Sequence, residues 1–327
     1  MPFRHPRVTV VIVTWNQADL VCEAIRSVRR QTVPAHILVV DNASSDGTTD
    51  RIAAEHPDVH ILRLASNTGF AGGVAVALEE VTTELVAFLN NDATADPSWL
   101  EASIAALDAD PQAASVAARM LLTDQPDRVN NAGVVLLRSL YGADRGLGEI
   151  NDSRFGSAVE VFAASGGAAV LRRLPVLAAG GIDPSYFMYY EDVDLGWRLR
   201  LAGWRAIYCP DAIVWHRHAA SSKPGSATFA LWTERNRLIT LARNAPLDVF
   251  VQALGRFVLT TVSLGISSLR RGVPDVAVFS PSLRLRILAA TLRRLPSTFA
   301  TRPPSSRRRE VLRRWRGVGS HELGGAT

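Results

Sequence analysis

The amino-acid sequence predicts an α/β fold: a Rossmann-like, mostly parallel central sheet flanked by helices, followed by a C-terminal helical appendage. Two observations carry this. Short apolar runs alternate with helix-like stretches through the first half of the chain, and beyond Arg243 the composition turns to leucine and arginine. Val8–Thr14 (VTVVIVT) is apolar without alternation, as a strand covered on both faces should be. Asp19–Gln31 places Leu20, Ala24, Ile25 and Val28 on one helical stripe. Then come a strand at His36–Asp41, a helix near Thr49–His56, a strand at His60–Leu64, a helix near Ala71–Val81 and a strand at Leu85–Asn90. This spacing means βαβ units, and right-handed crossovers bring the strands' carboxyl ends to one edge.

Residues 113–182 are less regular. Within them Val159–Arg172 reads as a strand, a turn at Gly166-Gly167 and a second buried run. A helix over Val193–Ala202 is closed by Gly203, with Asp194 and Arg198 four apart as a solvated ion pair. A short buried strand follows at Ala206–Cys209. The expected organisation is a catalytic domain over 1–246, an amphipathic helical appendage over 247–301 and a flexible basic tail over 302–327.

With 327 residues, 47% hydrophobic and 20% charged, the chain is one that folds. Two cysteines, Cys22 and Cys209, exclude a disulfide scaffold and a zinc-finger architecture, and a reducing cytoplasm is the expected location. No secretory signal is visible. The net charge of +5 is unevenly spread: residues 243–327 hold fifteen arginines against four acids, so they carry +11 and the rest −6. Such asymmetry points to an anionic surface. Val249–Leu269 is interrupted by Gln252 and Arg256, and Leu283–Leu295 carries four arginines, so helices lying on a membrane surface are expected rather than a bilayer span. Packing of these helices onto the catalytic domain is the alternative.

Several sites are struck out: no G-x-G-x-x-G follows the first strand, no P-loop is present, and Ser165 lacks the first glycine of a nucleophile elbow. Arg26–Arg30 lie on a helix surface without interleaved aromatics, which argues against nucleic acid. The strand ends instead collect Thr14, Trp15 and Asn16, Asp41-Asn42, Asn67-Thr68-Gly69 and Asn90-Asn91-Asp92. Ligands of open α/β sheets sit outside such ends. Asp41 suits a base imide or a ribose hydroxyl. Asp92 is a hard oxygen ligand for Mg²⁺ or Mn²⁺ on a diphosphate. Asp192 follows the aromatic run Tyr186–Tyr190, where partial desolvation raises its pKa toward that of a usable base. His216, within the run WHRH over 215–218, is either a metal ligand or a structural histidine.

The segments VTVVIVTWN (8–16), VDNASSDGT (40–48), NTGFAGG (67–73), LNNDAT (89–94) and FMYYEDVDL (187–195) occur in an order that resembles family 2 glycosyltransferases of GT-A fold, particularly the bacterial rhamnosyltransferase-like branch. The likeness runs from about Val8 to Pro246. It implies a nucleotide pocket lined by Thr14, Asn16, Asp41 and Asn67, with Gly69 and Asn91 alongside. Asn90 and Asp92 would end a D-x-D motif with Asp92 on the metal, and His216 would complete the shell. Gly166 and Gly167 would flank the donor sugar. Asp192 would be the base, with Glu191 beside it, and Tyr189, Tyr190 and Arg235 would face the acceptor. Asn90 departs from the family's first acid, leaving one fewer anionic ligand. Ala75 and Ala77 stand where relatives often continue with Asn and then Gly.

The implied reaction is an inverting, Mg²⁺- or Mn²⁺-dependent transfer of rhamnose from dTDP-rhamnose to a cell-envelope glycan or a polyprenyl-diphosphate-linked saccharide. It would take place peripherally on the inner face of the plasma membrane. The alternatives are a galactosyl, glucosyl or mannosyl transferase using a UDP- or GDP-sugar, and a non-catalytic nucleotide-sugar-binding scaffold.

Overall fold

A computed structural model of the chain describes residues 6–217, 225–270 and 276–317. Its centre is a mixed, mostly parallel sheet. The elements run β1 (Val8–Thr14), α1 (Ala18–Arg29), β2 (Ala35–Asp41), α2 (Thr48–Glu55), β3 (His60–Arg63), α3 (Gly69–Glu80), β4 (Leu85–Leu89), β5 (Ala93–Ala95), α4 (Trp99–Ala109) and β6 (Ala113–Leu122). The short strands β7 (Val129–Asn131), β8 (Val134–Leu136), β9 (Gly142–Asp144) and β10 (Val159–Val161) follow. Then come β11 (Ala168–Arg172), α5 (Arg173–Ala178), α6 (Glu191–Leu201) and β12 (Arg205–His216). The chain ends in α7 (Ala227–Asn244), α8 (Leu247–Arg270), α9 (Pro281–Ala300) and α10 (Arg308–Trp315).

Strand order is β10-β12-β6-β11-β4-β1-β2-β3. The pairs β2–β3, β1–β2, β1–β4 and β6–β12 are parallel. β11 runs antiparallel between β4 and β6. That reversal matters for function: it brings the amino end of β11, with Gly166-Gly167 just before it, to the edge where β1, β4 and β12 end. The strand predicted at Ala206–Cys209 is longer, because a shift in pairing between Cys209 and Ile213 lets β12 absorb Pro210 and run on to His216.

Side-chain alternation in β1 divides the core. Val8, Val10 and Ile12 pack with Val21, Ile25 and Ile52 of α1 and α2 and with Trp99 of α4. Val11 faces the opposite layer with α3, α6 and the end of α7. Both faces are covered, which explains the uninterrupted apolar strands.

Two expectations are corrected. The Asp194–Arg198 pair is not solvated: Asp194 is fully buried and Arg198 nearly so. Asp194 accepts from Arg198 Nε at 2.8 Å, Arg243 Nη1 at 3.0 Å and Asn244 Nδ2 at 2.7 Å, which ties α6 to the end of α7. The basic tail is also not flexible over its described part. Arg302 donates to the carbonyls of Ala242 and Ala245, and Arg308 to those of Arg243 (2.9 Å) and Asn244 (2.8 Å). The last carbonyls of a helix lack intrahelical partners, and these two side chains satisfy those of α7. α10 then buries Val311, Leu312 and Trp315. Residues 318–327 lie outside the described residues.

Because Asp194 is dry and triply bonded, Arg243→Ala should cost roughly 1.5–3 kcal/mol by removing one charged hydrogen bond while Arg198 and Asn244 keep theirs. Chemical denaturation of the variant against the parent checks this, and a loss below about 1 kcal/mol would contradict it.

Candidate active site

The site lies outside the carboxyl ends of β1, β4 and β12, and it has two halves. The first centres on His216 at the end of β12. Its Nε2 lies 3.0 Å from Asp92 Oδ1 and 3.1 Å from Asn90 Nδ2, while its Nδ1 lies 3.0 Å from Asn130 Oδ1. A proton on Nδ1, donated to the Asn130 oxygen, leaves the Nε2 lone pair directed at the Asp92 carboxylate and the Asn90 amide. Two electron-rich atoms at 3.0 Å require a proton or a cation between them. One imidazole nitrogen and one carboxylate oxygen form an N/O donor set that suits Mn²⁺ or Mg²⁺. The remaining coordination positions would fall to a diphosphate and water. Asn130, which the sequence does not reveal, holds the imidazole from its Nδ1 side. His218 lies outside the described residues.

The second half is the amino end of α6. Asp192 Oδ2 accepts from Gly166 N at 3.0 Å and Oδ1 from Val193 N at 2.7 Å. Burial pushes the Asp192 carboxyl upward, while those two backbone donors oppose the shift. Glu191 is pushed up much further, by its own burial and then by the charge of Asp192. Of the two, Glu191 is the more strongly favoured to hold a proton. Glu191 Oε2 has no hydrogen-bond partner and lines, with Asp192, Ser165 and Gly166, a cavity of about 20 Å³.

The glycine pair joins the halves. Gly166 holds Asp192, Gly167 O accepts from Asn90 N at 2.9 Å, and a Cβ on Gly167 would sit 3.4 Å from Asn90 Nδ2. A third carboxylate, unnoticed in the sequence, stands between them. Asp144 of β9 accepts from Asn131 Nδ2 at 2.5 Å. Burial raises it to about 6, the charge of Asp192 adds to that rise, and His216 opposes it. The signal that would have found Asp144 is its place in the Asp- and Gly-rich stretch 141–156, which reads as an ordinary loop.

The loop before Asp192 is held in an unusual conformation. Phe187, Tyr189 and Tyr190 have φ of 64°, 68° and 71°, a region that costs non-glycine residues energy. Asn236 of α7, fully buried, compensates: its Nδ2 donates to the carbonyls of Tyr186 (3.0 Å), Met188 (2.9 Å) and Tyr189 (2.7 Å). Arg235 assists, with Nη2 donating to Ser185 O and Tyr186 O. Arg235, expected on the acceptor side, thus clamps backbone through one edge of its guanidinium. Tyr190, expected there too, has a buried ring whose hydroxyl accepts from Gly142 N at 3.2 Å. Tyr189 stacks against Phe229 and Trp232 of α7.

The polar strand-end motifs bond mainly to one another. Asn42 accepts from Thr68 N and donates to Gly69 O. Asn67 Oδ1 accepts from Gly69 N at 2.8 Å, and a Cβ on Gly69 (φ +73°) would come 2.1 Å from Phe187 O. Gly69 therefore makes room for the 187–190 loop. Asn91 donates to Thr14 Oγ1 and Gln17 Oε1, and Asn16 Oδ1 accepts from Ser45 N. Asp41 is fully buried, accepting from Ser44 N at 2.9 Å and from the Thr49 hydroxyl. Among the described residues a further possible ligand group, Cys22, Glu55 and His56, lies between α1 and α2, where Glu55 is already paired with Arg26 and Arg51.

The fold is thus an α/β sheet with a carboxylate–imidazole pair and a half-buried aspartate at one edge. The chain belongs to glycosyltransferase-like family 2, whose pattern matches residues 5–238. It is similar to an N-acetylglucosaminyl-diphospho-decaprenol L-rhamnosyltransferase of Mycobacterium tuberculosis, at 26% identity over 71% of this chain and 83% of the relative. It is 24% identical to an O-antigen chain rhamnosyltransferase of Salmonella typhimurium, over 65% of this chain and 67% of that one. Among solved structures, a mannosyltransferase from Pyrobaculum calidifontis, in complex with GDP-Man and Mn²⁺, superposes with a TM-score of 0.53 at 20% identity, covering 90% of this chain and 88% of that one. Staphylococcus aureus TarS gives 0.55 at 15% identity, over 90% and 83%. These likenesses bear out the GT-A fold.

Asn236→Ala should release the 186–190 loop and misplace Asp192. Turnover should fall up to about 100-fold, while the affinity for a nucleoside diphosphate stays within about twofold. A steady-state split of kcat against donor affinity reads this directly, and unchanged turnover would refute the clamp.

Proposed function

We propose that this glycosyltransferase moves a 6-deoxyhexose, rhamnose from dTDP-rhamnose, with inversion onto a polyprenyl-diphosphate-linked or other cell-envelope saccharide at the inner face of the plasma membrane. The observation that carries the chemistry is the placing of Asp192 and the Asp92–His216 pair on either side of Gly166-Gly167. The rhamnosyl specificity and the lipid-linked acceptor draw support from what the Mycobacterium and Salmonella relatives are named for.

The reaction is then a single displacement. Asp192 takes the proton of an acceptor hydroxyl as that oxygen forms a bond to the anomeric carbon and the bond to the donor diphosphate breaks. Attack from the far side inverts the centre. Burial raises the Glu191 carboxyl, which disfavours a second negative charge beside the base. Gly166 and Gly167 let the sugar approach bare backbone, and Gly166 N orients the Asp192 carboxylate. Asp92 and His216 would hold Mg²⁺ or Mn²⁺, which supplies positive charge to the leaving diphosphate. Asn130 fixes the imidazole ring for that task.

Asp192→Asn preserves shape and removes the base, so turnover should drop by roughly 10²–10⁴ while donor binding survives. Full turnover by the variant would rule out the assignment. Because burial raises the Asp192 pKa and the ionised form is the active one, kcat/KM should fall as pH is lowered through a midpoint above the ordinary value of about 3.9. An acid limb at or below that value would contradict the picture.

Asn130→Ala should weaken Mn²⁺ affinity about 10–100-fold in the presence of donor nucleotide. A Mn²⁺ titration followed by electron paramagnetic resonance measures this. Equal affinity in parent and variant would remove His216 from the metal shell.

A further inference from the structure

A second, larger cavity lies away from the strand ends, between α7, α8, α9 and the β8–β9 hairpin. Its volume is about 410 Å³, within the roughly 300–1,000 Å³ typical of small-molecule sites and far more than a single ion needs. Its lining is cationic. Arg237, Arg256, Arg284 and Arg316 stand around it with one carboxylate, Glu234. That carboxylate is already engaged: it accepts from the Tyr141 hydroxyl and from Arg237 Nη2 at 3.0 Å. Arg284 makes its bonds to neutral groups, Thr261 Oγ1 and the carbonyls of Val278 and Phe257, and lies 4.1 Å from the Phe257 ring centroid. Arg316 donates to Arg138 O. Arg256 is exposed, and no acid pairs with it among the described residues. Four arginines line the cavity with one carboxylate, which is itself paired with Arg237, so the lining carries an excess of positive charge, and guanidinium is the group best matched to phosphate oxygens.

The helix above this cavity presents a second feature. α8 buries Phe250, Ala253, Phe257 and Thr261 against the protein. On the opposite side Val251, Leu259, Val262, Ile266 and Leu269 are exposed, the last at 88%. Between Val251 and Leu269 this stripe carries no charge. α8 is also a helix of 24 residues with a mean hydropathy of 1.6 over its most apolar window, long and apolar enough to cross a membrane by length and composition. That departs from the expectation that residues 249–269 fall short of a span. Its buried face, packed on α7 and α9, favours lying at an interface over crossing it.

The cavity also connects to the catalytic edge. Tyr141 lines it, and three residues further on Asp144 stands in the field of Asp192 and His216. Gly142, between them, donates to the hydroxyl of Tyr190, two residues before the base. One short strand, β9, therefore separates the arginine cavity from the carboxylates.

We propose that this cavity seats the diphosphate headgroup of a lipid-linked acceptor, with the lipid chain leaving along the exposed apolar stripe of α8. The inference rests on the glycosyltransferase reading above and adds the acceptor's site to it. The cationic lining takes the diphosphate, the β9 hairpin spaces it from the base, and the bilayer covers the apolar stripe. Arg256, the exposed member at the rim, would meet the headgroup first.

The test is calorimetric titration of the full chain with farnesyl diphosphate, with inorganic diphosphate and farnesol as separate arms. Saturating dTDP and Mn²⁺ are present throughout to occupy the donor side. Farnesyl diphosphate should bind at least tenfold more tightly than either part alone. Arg256→Gln and Arg316→Gln should each weaken it by roughly tenfold, the worth of one charge-assisted hydrogen bond, and leave dTDP affinity unchanged. Unaltered farnesyl diphosphate affinity in both variants, or no binding by the parent, overturns the proposal. Inorganic diphosphate binding as tightly as the lipid form removes the lipid half, and farnesol doing so removes the arginine half. A chain that binds dTDP but not farnesyl diphosphate would sink this inference alone, whereas failure to bind dTDP would sink the catalytic reading itself.

Discussion

The amide of Asn236 holds the site together. It donates to three backbone carbonyls of a loop whose residues sit at positive φ, and that loop sets where α6 begins and where Asp192 points. Three left-handed non-glycine residues store strain of order 1–3 kcal/mol each, so the conformation persists only because the surroundings over-determine it. Asn236 supplies one part of that constraint. Gly69 supplies another by leaving room for the Phe187 carbonyl, which Ala71 N then binds at 3.0 Å. The base is thus positioned by elements far apart in sequence, α3 from the sheet half and α7 from the C-terminal half.

Electrostatics explain why these elements must meet. Asp92, Asp144, Glu191 and Asp192 gather at one edge with the imidazole of His216. Left in water they would all ionise and repel. Burial pushes Asp144 up to about 6 and Glu191 well up, so each holds its proton to a higher pH than it would in water. Asp192 alone among the three keeps two backbone N–H donors that favour its ionised form. Neighbouring acids with divergent environments divide the roles of proton holder and proton acceptor between them. A bound cation and diphosphate would alter this balance, and Asp144, which feels both Asp192 and His216, is placed to register the change.

The sheet and its helices were legible in the sequence because buried strands and amphipathic helices write periodicity locally. β1 through β4 fall within a residue or two of their expected limits. Asp92 was legible as a candidate from its strand end and Asp192 from the aromatic run before it, whereas His216 and Gly166-Gly167 joined them as a set only through the family resemblance. Other features depend on partners distant in sequence. Nothing local marks Asp194 as buried, since the Arg243 and Asn244 that surround it come from another helix. Nothing marks Asp144 as part of the site, since it is backbone bonding between the β7 segment and residues 145–149 that brings Asn131 to it. Arg235 reads as a free cation because a backbone carbonyl as its partner has no sequence signature. Tyr190 reads as an exposed aromatic beside the base for the same reason.

The arginines of the C-terminal segment show how far net charge misleads as a guide to partners. The +11 over residues 243–327 suggests one continuous field facing an anionic surface. The fold divides that charge. Arg243 is buried against Asp194 and Asp183; Arg302 and Arg308 satisfy the last carbonyls of α7; Arg309 pairs with Asp248 and Arg314 with Glu160. These guanidinium groups work as multidentate donors that fasten α10 to the catalytic layer, which lysine's single ammonium would do poorly. Part of the remaining charge lines the cavity under α8, where Arg256, Arg284 and Arg316 face no free carboxylate among the described residues, and part stays on exposed surface at Arg270, Arg286, Arg293 and Arg313. The tail's charge therefore supports two tasks, closing the fold and lining one anion site, and the second is possible only because the first holds the helices around it.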